Sequence, residues 1–239
     1  IRFSNASGDA TQADDKKDAR GMAIKILGVS GKKILENDDQ AMTQDFIMIN
    51  HPVFFVYVPH RYLAFIEDMN SKSTLKKLHV PFALGFQGTI NALRASNSKI
   101  SNPLQARYWS MVPYQLGLGA DRQAVKYSAR PCSPHLDQIP NKPSPNFLRE
   151  ALQNTLHKND ACMEFLIQPR TSNKMLIEDS MTEWQETQAP FYQVATIHIP
   201  QQIFETPEQN QFCENLSFTP WHSLPEHRPL GAINRLRKV

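Results

Sequence analysis

An α+β fold built on an antiparallel β-barrel, with helices inserted midway and towards the C-terminus, is what the sequence predicts. Three observations lead there. About six or more strand-like segments follow one another without the regular strand–helix alternation of a parallel sheet. The run Gly117-Leu118-Gly119-Ala120-Asp121 is a turn that makes two of them a hairpin. No glycine-rich strand-to-helix turn is present, which argues against a dinucleotide-binding sheet.

The elements can be taken in order. Residues 22–29 alternate loosely and form the first long strand. Residues 45–58 are rich in β-branched and aromatic side chains and predict a long strand with Pro52 near its middle. Proline inside a strand implies a bulge, an edge or a break. A break there would aim Asn50 away from the regular pleat. Residues 63–78 and 86–95 carry apolar residues at three- and four-residue spacing and predict helices separated by Pro81. Residues 106–115, 123–130, 161–168 and 191–199 predict strands. In the second of these, Val125, Tyr127 and Ala129 alternate with Lys126 and Ser128, the period of a half-buried strand. Five prolines between 131 and 145 make a surface loop that leads into a helix over 146–158.

The 239 residues are enough for one large domain, and we read 1–239 as one. With 41% hydrophobic and 21% charged residues the chain is globular rather than disordered. A net charge of +3, with basic pairs that lack aromatic interleaving, speaks against nucleic-acid binding. The longest apolar run, 46–58, is far short of the ~20 residues of a membrane helix. Cys132, Cys162 and Cys213 are widely spaced and fit neither a zinc nor a redox motif, so they read as buried or idle thiols. The chain opens at Ile1 rather than methionine, so an export signal could precede it, and localisation, cytoplasmic or periplasmic, stays open.

Four segments carry candidate chemistry. Arg2-Phe3-Ser4-Asn5 alone is a strand with a solvent-facing arginine. The second is Asp18-Ala19-Arg20-Gly21-Met22-Ala23. In the third, Ile49-Asn50-His51-Pro52-Val53-Phe54-Phe55, Asn50 is either a turn asparagine before the proline or an amide kept for a ligand, since unpaired amides are costly in apolar surroundings. Phe55 is core or a pocket wall. The fourth runs from Pro220 to Arg237. Its His222, Glu226 and His227 invite a metal reading, but Pro220, Pro225 and Pro229 prevent the helix that would set both histidines on one face.

In this order and at these separations the segments resemble the haem-dependent catalase superfamily, and the Pro220–Arg237 tail resembles its compact, catalase-related branch. The resemblance implies a catalase-like barrel holding haem b. It implies that Arg2 pairs with a haem propionate, a guanidinium fork matching a carboxylate. Ser4 would hydrogen-bond the distal histidine, Asn50 would donate to bound peroxide, and Phe55 would line the distal side. In the tail's Arg-x-x-x-Tyr helix, Arg235 would require tyrosine at 239, which is Val239, so Arg237 is the matching arginine. No metal ligand is then expected within the chain. The iron-ligating tyrosine is expected two residues beyond the end and the distal histidine upstream of Ile1. The implied activity is catalase-type decomposition of hydrogen peroxide or a peroxidase reaction, in a context of oxidative stress. The alternatives are a lipid-hydroperoxide isomerase of the allene oxide synthase type and a non-catalytic haem-binding protein. The implied partners are hydrogen peroxide or an organic hydroperoxide and, as an open expectation, a second copy in a homo-oligomer.

Overall fold

The computed structural model describes residues 1–238 except Asp39, Lys72 and His135, and of Lys77 the backbone alone. One antiparallel sheet organises them. Its strands are β1 (Arg2–Asn5), β2 (Arg20–Leu27), β3 (Thr43–Ile49), β4 (Tyr108–Trp109), β5 (Tyr114–Leu116), β6 (Gln123–Pro131), β7 (Ala161–Pro169) and β8 (Tyr192–Ile199). The spatial order is β1-β2-β3-β4-β6-β7-β8, with β5 paired to β6. The sheet curls into a half-barrel, and Phe3 on one edge shares an apolar cluster with Ile197 and Ile199 on the other.

The core follows from the two-residue period. Met22 and Ile24 of β2 lie opposite Met48 and Phe46 of β3, and all four are buried. Phe46, Tyr127 and Phe165 close the interior with edge-on and stacked rings 5.0–5.6 Å apart. The hairpin at 117–121 forms as expected, with Leu116 opposite Gln123.

Several boundaries differ from those the sequence predicts. The strand expected over 45–58 ends at Ile49, and Asn50 lies just past it rather than inside it. Beyond Pro52 the chain is held by the segment at 180 instead: Phe54 N donates to Ser180 O at 2.8 Å, and Ser180 Oγ donates to Val56 O at 2.7 Å. The strand expected over 106–115 is split into β4 and β5 by a turn in which Met111 takes a φ of 61°. The alternation of β6 does not leave a solvated face, because residues 125–129 are all buried. Its second face is covered by the segment after β7, where Lys126 Nζ lies 5.0 Å from the Trp184 ring.

Two helices, α1 (Pro59–Asn70) and α2 (Thr74–Ser96), fill the link between β3 and β4. Pro81 does not separate them. It sits inside α2, and the break falls at Gly85, whose φ of 72° suits glycine. α3 (Phe147–Leu156) follows the proline-rich loop, and α4 (Pro207–Asn215) and α5 (Ala232–Leu236) lie near the C-terminal end. Cys132 and Cys162 are not idle thiols. They face each other from the end of β6 and the start of β7 and form a disulfide, which leaves Cys213 free. The pairing comes from register, since Pro131 lies opposite Met163, and spacing along the chain carries no sign of it.

Candidate functional site

Strand register gathers the first group of residues. Ser4, Gly21 and Ile49 form one row across β1, β2 and β3. A Cβ on Gly21 would fall 2.5 Å from Ser4 Oγ, so the serine hydroxyl occupies the volume a side chain would need. A larger residue there would turn the Ser4 hydroxyl away.

Asn50 begins the next row. Its backbone N–H donates to Arg20 O at 2.9 Å, and its side-chain Oδ1 accepts the Arg20 backbone N–H at 2.8 Å. The side-chain carbonyl takes the ladder place that a backbone carbonyl would hold if β3 continued. This is why the strand stops. With Oδ1 committed, the amide has one orientation, and Nδ2 is buried with no hydrogen-bonding partner. The Nε2 of His51 is likewise buried and unpartnered. Burial, and then the charge of Arg94, hold the His51 imidazole below its ordinary range.

Arg20 was not singled out by the sequence beyond its place in the Asp18–Ala23 segment, yet it is the hub of this corner. Its buried guanidinium donates to Asn5 Oδ1, to Asp14 O at 2.8 Å and to Lys16 O at 3.2 Å. The carboxylates of Asp14 and Asp18 lie 3.7 and 4.0 Å away. Asp18 also accepts the backbone N–H groups of Ala6 and Ser7, tying the end of β1 to this segment. An arginine preceded by Asp14, Asp15 and Asp18 was the available signal.

Beside this corner lies a cavity of about 620 Å³, at the seam between β1, β8, α3 and α4. Arg2, Ser4, Arg20 and Gly21 lie on one side of it, and Leu152, Leu156, Arg149, His198 and Phe204 on another. Its volume falls in the range of roughly 300–1,000 Å³ usual for cofactor sites. Arg2 Nη1 donates to Leu216 O at 3.4 Å, and its Nη2 lies 3.7 Å from Glu214. Glu214 is largely exposed, so that pair is weak and exchangeable.

The other candidates lie elsewhere. Phe55 packs among Phe54, Phe65 and Tyr62, with ring centroids 4.3, 4.9 and 6.2 Å away, which is the packing of a core phenylalanine. The tail is anchored by Asn234, whose Nδ2 donates to Pro113 O and Leu230 O and whose carbonyl accepts Trp221 Nε1. From α5, Arg235 makes a two-point ion pair with Glu178 at 3.0 and 2.7 Å on the surface. Arg237 instead acts on Tyr114: burial pushes that phenol up and the guanidinium charge opposes the rise. The hydroxyl of Tyr127 is buried and unpartnered among the described residues, and that of Tyr114 is buried beside the Asn234 side chain. Ser4 and Asn50 thus lie in adjacent rows at one corner of β1 to β3, and Arg2 lies at the other end of β1, opposite Ala23, where it lines the cavity with Ser4. Phe55 follows five residues after Asn50, and no hydrogen bond or ion pair among the described residues joins Arg237 to them.

The histidines of the tail hold structure. His222 lies between Asp45 at 2.8 Å and Asp38 at 2.9 Å, and His227 contacts Gln44. Burial holds the His227 imidazole below its usual range, with Glu226 opposing. Among the described residues no group of three metal-ligating side chains converges.

No protein-family model matches the sequence, and no curated protein matches it significantly. Solved structures do. The chain superposes over its whole length on a fungal catalase, with a TM-score of 0.71 and 19% identity. Catalase A of Saccharomyces cerevisiae matches over 99% of the chain with a TM-score of 0.65 and 19% identity, and a bacterial catalase over 98% with 0.66 and 15%. The chain spans about half the length of each, between 46% and 50%. The fold is therefore catalase-like.

Proposed function

We propose that this chain frames a haem site and acts on hydrogen peroxide, in a catalase-type or peroxidase reaction. The observation that carries this reading is Asn50. An amide nitrogen buried without a partner costs about 1–3 kcal/mol. Here it is also held in one orientation by the Arg20 N–H on its other end. That is the arrangement of a donor preorganised for a ligand oxygen.

The other residues fit the group. Arg2 at the cavity wall offers a guanidinium whose present partner is a weak surface carboxylate, so a haem carboxylate could replace it. Ser4 Oγ, close to Gly21, would fix the tautomer of a distal histidine. Arg237 would hydrogen-bond the phenolate of an iron-ligating tyrosine. Haem iron, when bound, supplies the redox chemistry that peroxide cleavage requires. The chain's own part would be to place a donor at the peroxide and to hold the haem carboxylate.

Haem titration of the full-length protein, followed by Soret absorbance, tests this. Saturable binding of one haem with a high-spin ferric tyrosinate spectrum, weakened by Arg2→Leu, is the expected result. A histidine- or thiolate-type spectrum, or no saturable binding, overturns it.

A further inference from the structure

The α1–α2 hairpin exposes apolar side chains that the sheet does not use. Leu75, Leu78 and Phe82 are 78%, 65% and 78% exposed at the three- and four-residue spacing of one helix face, and Phe86, 84% exposed, follows the break at Gly85. The opposite side of the same helix, with Ala83, Leu84 and Gly88, packs inward. There Gly88 has no room for a side chain, because a Cβ would fall 2.4 Å from Phe55 O. α2 therefore carries two apolar faces and buries one. Leu63 and Met69 of α1, about half exposed, extend the free one.

Charge says what this face fits. Residues 59–96, the hairpin, contain five Lys and Arg against two Asp and Glu, a net charge of +3. The whole chain is +3, so the remaining residues are net zero. One of the two acids, Asp68, is buried and bound to His79 at 2.8 Å, which leaves Glu67 facing exposed Arg61, Lys76 and Arg94. All of the molecule's positive excess is thus concentrated on the hairpin that exposes the large apolar residues. Among the described residues no helix is long and apolar enough to cross a membrane. An apolar stripe flanked by cations is the pattern of a helix lying in the interface plane.

We infer that the α1–α2 hairpin binds the surface of an anionic lipid bilayer, with Phe82 and Phe86 entering the acyl boundary and Lys76 and Arg61 meeting the headgroups. This is independent of the haem reading and is measured without it. The competing occupant is a second copy of the chain, but two hairpins of net charge +3 repel one another, whereas an anionic surface attracts them.

Co-sedimentation with vesicles of equal parts phosphatidylglycerol and phosphatidylcholine, against phosphatidylcholine alone, tests the inference. Binding to the anionic vesicles, weaker binding to the neutral ones and release by high salt are expected. Phe82→Ser with Phe86→Ser should reduce partitioning by about tenfold or more, and Lys76→Gln by about fivefold. Both phenylalanines are exposed, so an unchanged far-ultraviolet circular dichroism spectrum is expected. Should the double variant misfold, Lys76→Gln and the salt dependence decide. Equal or absent binding to the two vesicle types overturns the inference. So does a wild-type dimer, seen by light scattering, that the double variant dissociates while neither binds vesicles.

Discussion

Asn50 Oδ1 accepts the Arg20 backbone N–H at 2.8 Å across thirty positions of sequence, while the Asn50 backbone N–H donates to Arg20 O at 2.9 Å. One residue thereby ends a strand and orients a side-chain donor. Of the two readings the sequence offered for Asn50, Oδ1 makes the turn contact, and the unpartnered Nδ2 is the end that the proposed ligand role would use.

Asn50→Ala therefore has two expected effects. It strands a buried Arg20 N–H, which costs about 1–3 kcal/mol and lowers the denaturant midpoint. It also removes the preorganised donor, which slows the peroxide reaction by ~10²–10³ in the full-length protein. Asn50→Asp keeps the acceptor for Arg20 and loses the donor, so its rate should fall as well. Stopped-flow kinetics beside a denaturant melt separates the effects. A normal rate with a lowered midpoint leaves Asn50 a structural residue.

The Cys132–Cys162 bridge encloses the proline-rich loop and α3 across a separation of 30 residues. Closing a loop of that size restricts the unfolded chain by an amount worth about 3–4 kcal/mol. Cys132→Ser with Cys162→Ser should lower the melting temperature, and reductant should bring the wild type down to the same value. A wild type indifferent to reductant, with three titratable thiols rather than Cys213 alone, would show that the bridge does not form.

Lys126 gives a pH dependence whose sign can be worked out. Burial lowers its pKa from 10.5 to about 8, with Asp179 and Glu183 opposing. Between these values the unfolded chain holds a proton that the folded chain has released, so stability rises with pH across the window from about 8 to 10.5. Below it the buried ammonium is a standing cost, softened by the Trp184 ring. Relative to Lys126→Met, the wild type should therefore gain stability from pH 8 upwards. Melts of both proteins from pH 7 to 10 check this, and parallel curves would place Lys126 in contact with water. The comparison stops at pH 10 because buried Tyr108, Tyr114 and Tyr127, all with raised pKa values, pull the other way above it.

The sheet was legible where one face is buried and the next is not. Met22 and Ile24, and Phe46 and Met48, announce their strands by period alone, and the Gly117–Asp121 turn announces its hairpin. In the tail, Arg235 pairs with Glu178 at the surface and the charge of Arg237 acts on the buried Tyr114 phenol, partners that spacing along the chain does not show. Breaks were harder to place. The helix break moved from Pro81 to Gly85, because α2 continued through the proline and the left-handed turn needed a glycine.

By itself, then, the sequence determined the class of fold, the strand and helix segments, and which short runs are worth a chemical reading. These depend on neighbours within a few residues, where period, turn chemistry and proline act. The tertiary structure alone decided that β3 stops at Asn50, that Arg20 gathers Asn5, Asp14 and Asp18, that Cys132 meets Cys162, and that Lys126 is covered by Trp184. Each of these joins groups brought together by strand register or by a crossing segment. Desolvation then makes their pairing obligatory, because a buried donor or charge must find its partner wherever the fold places one.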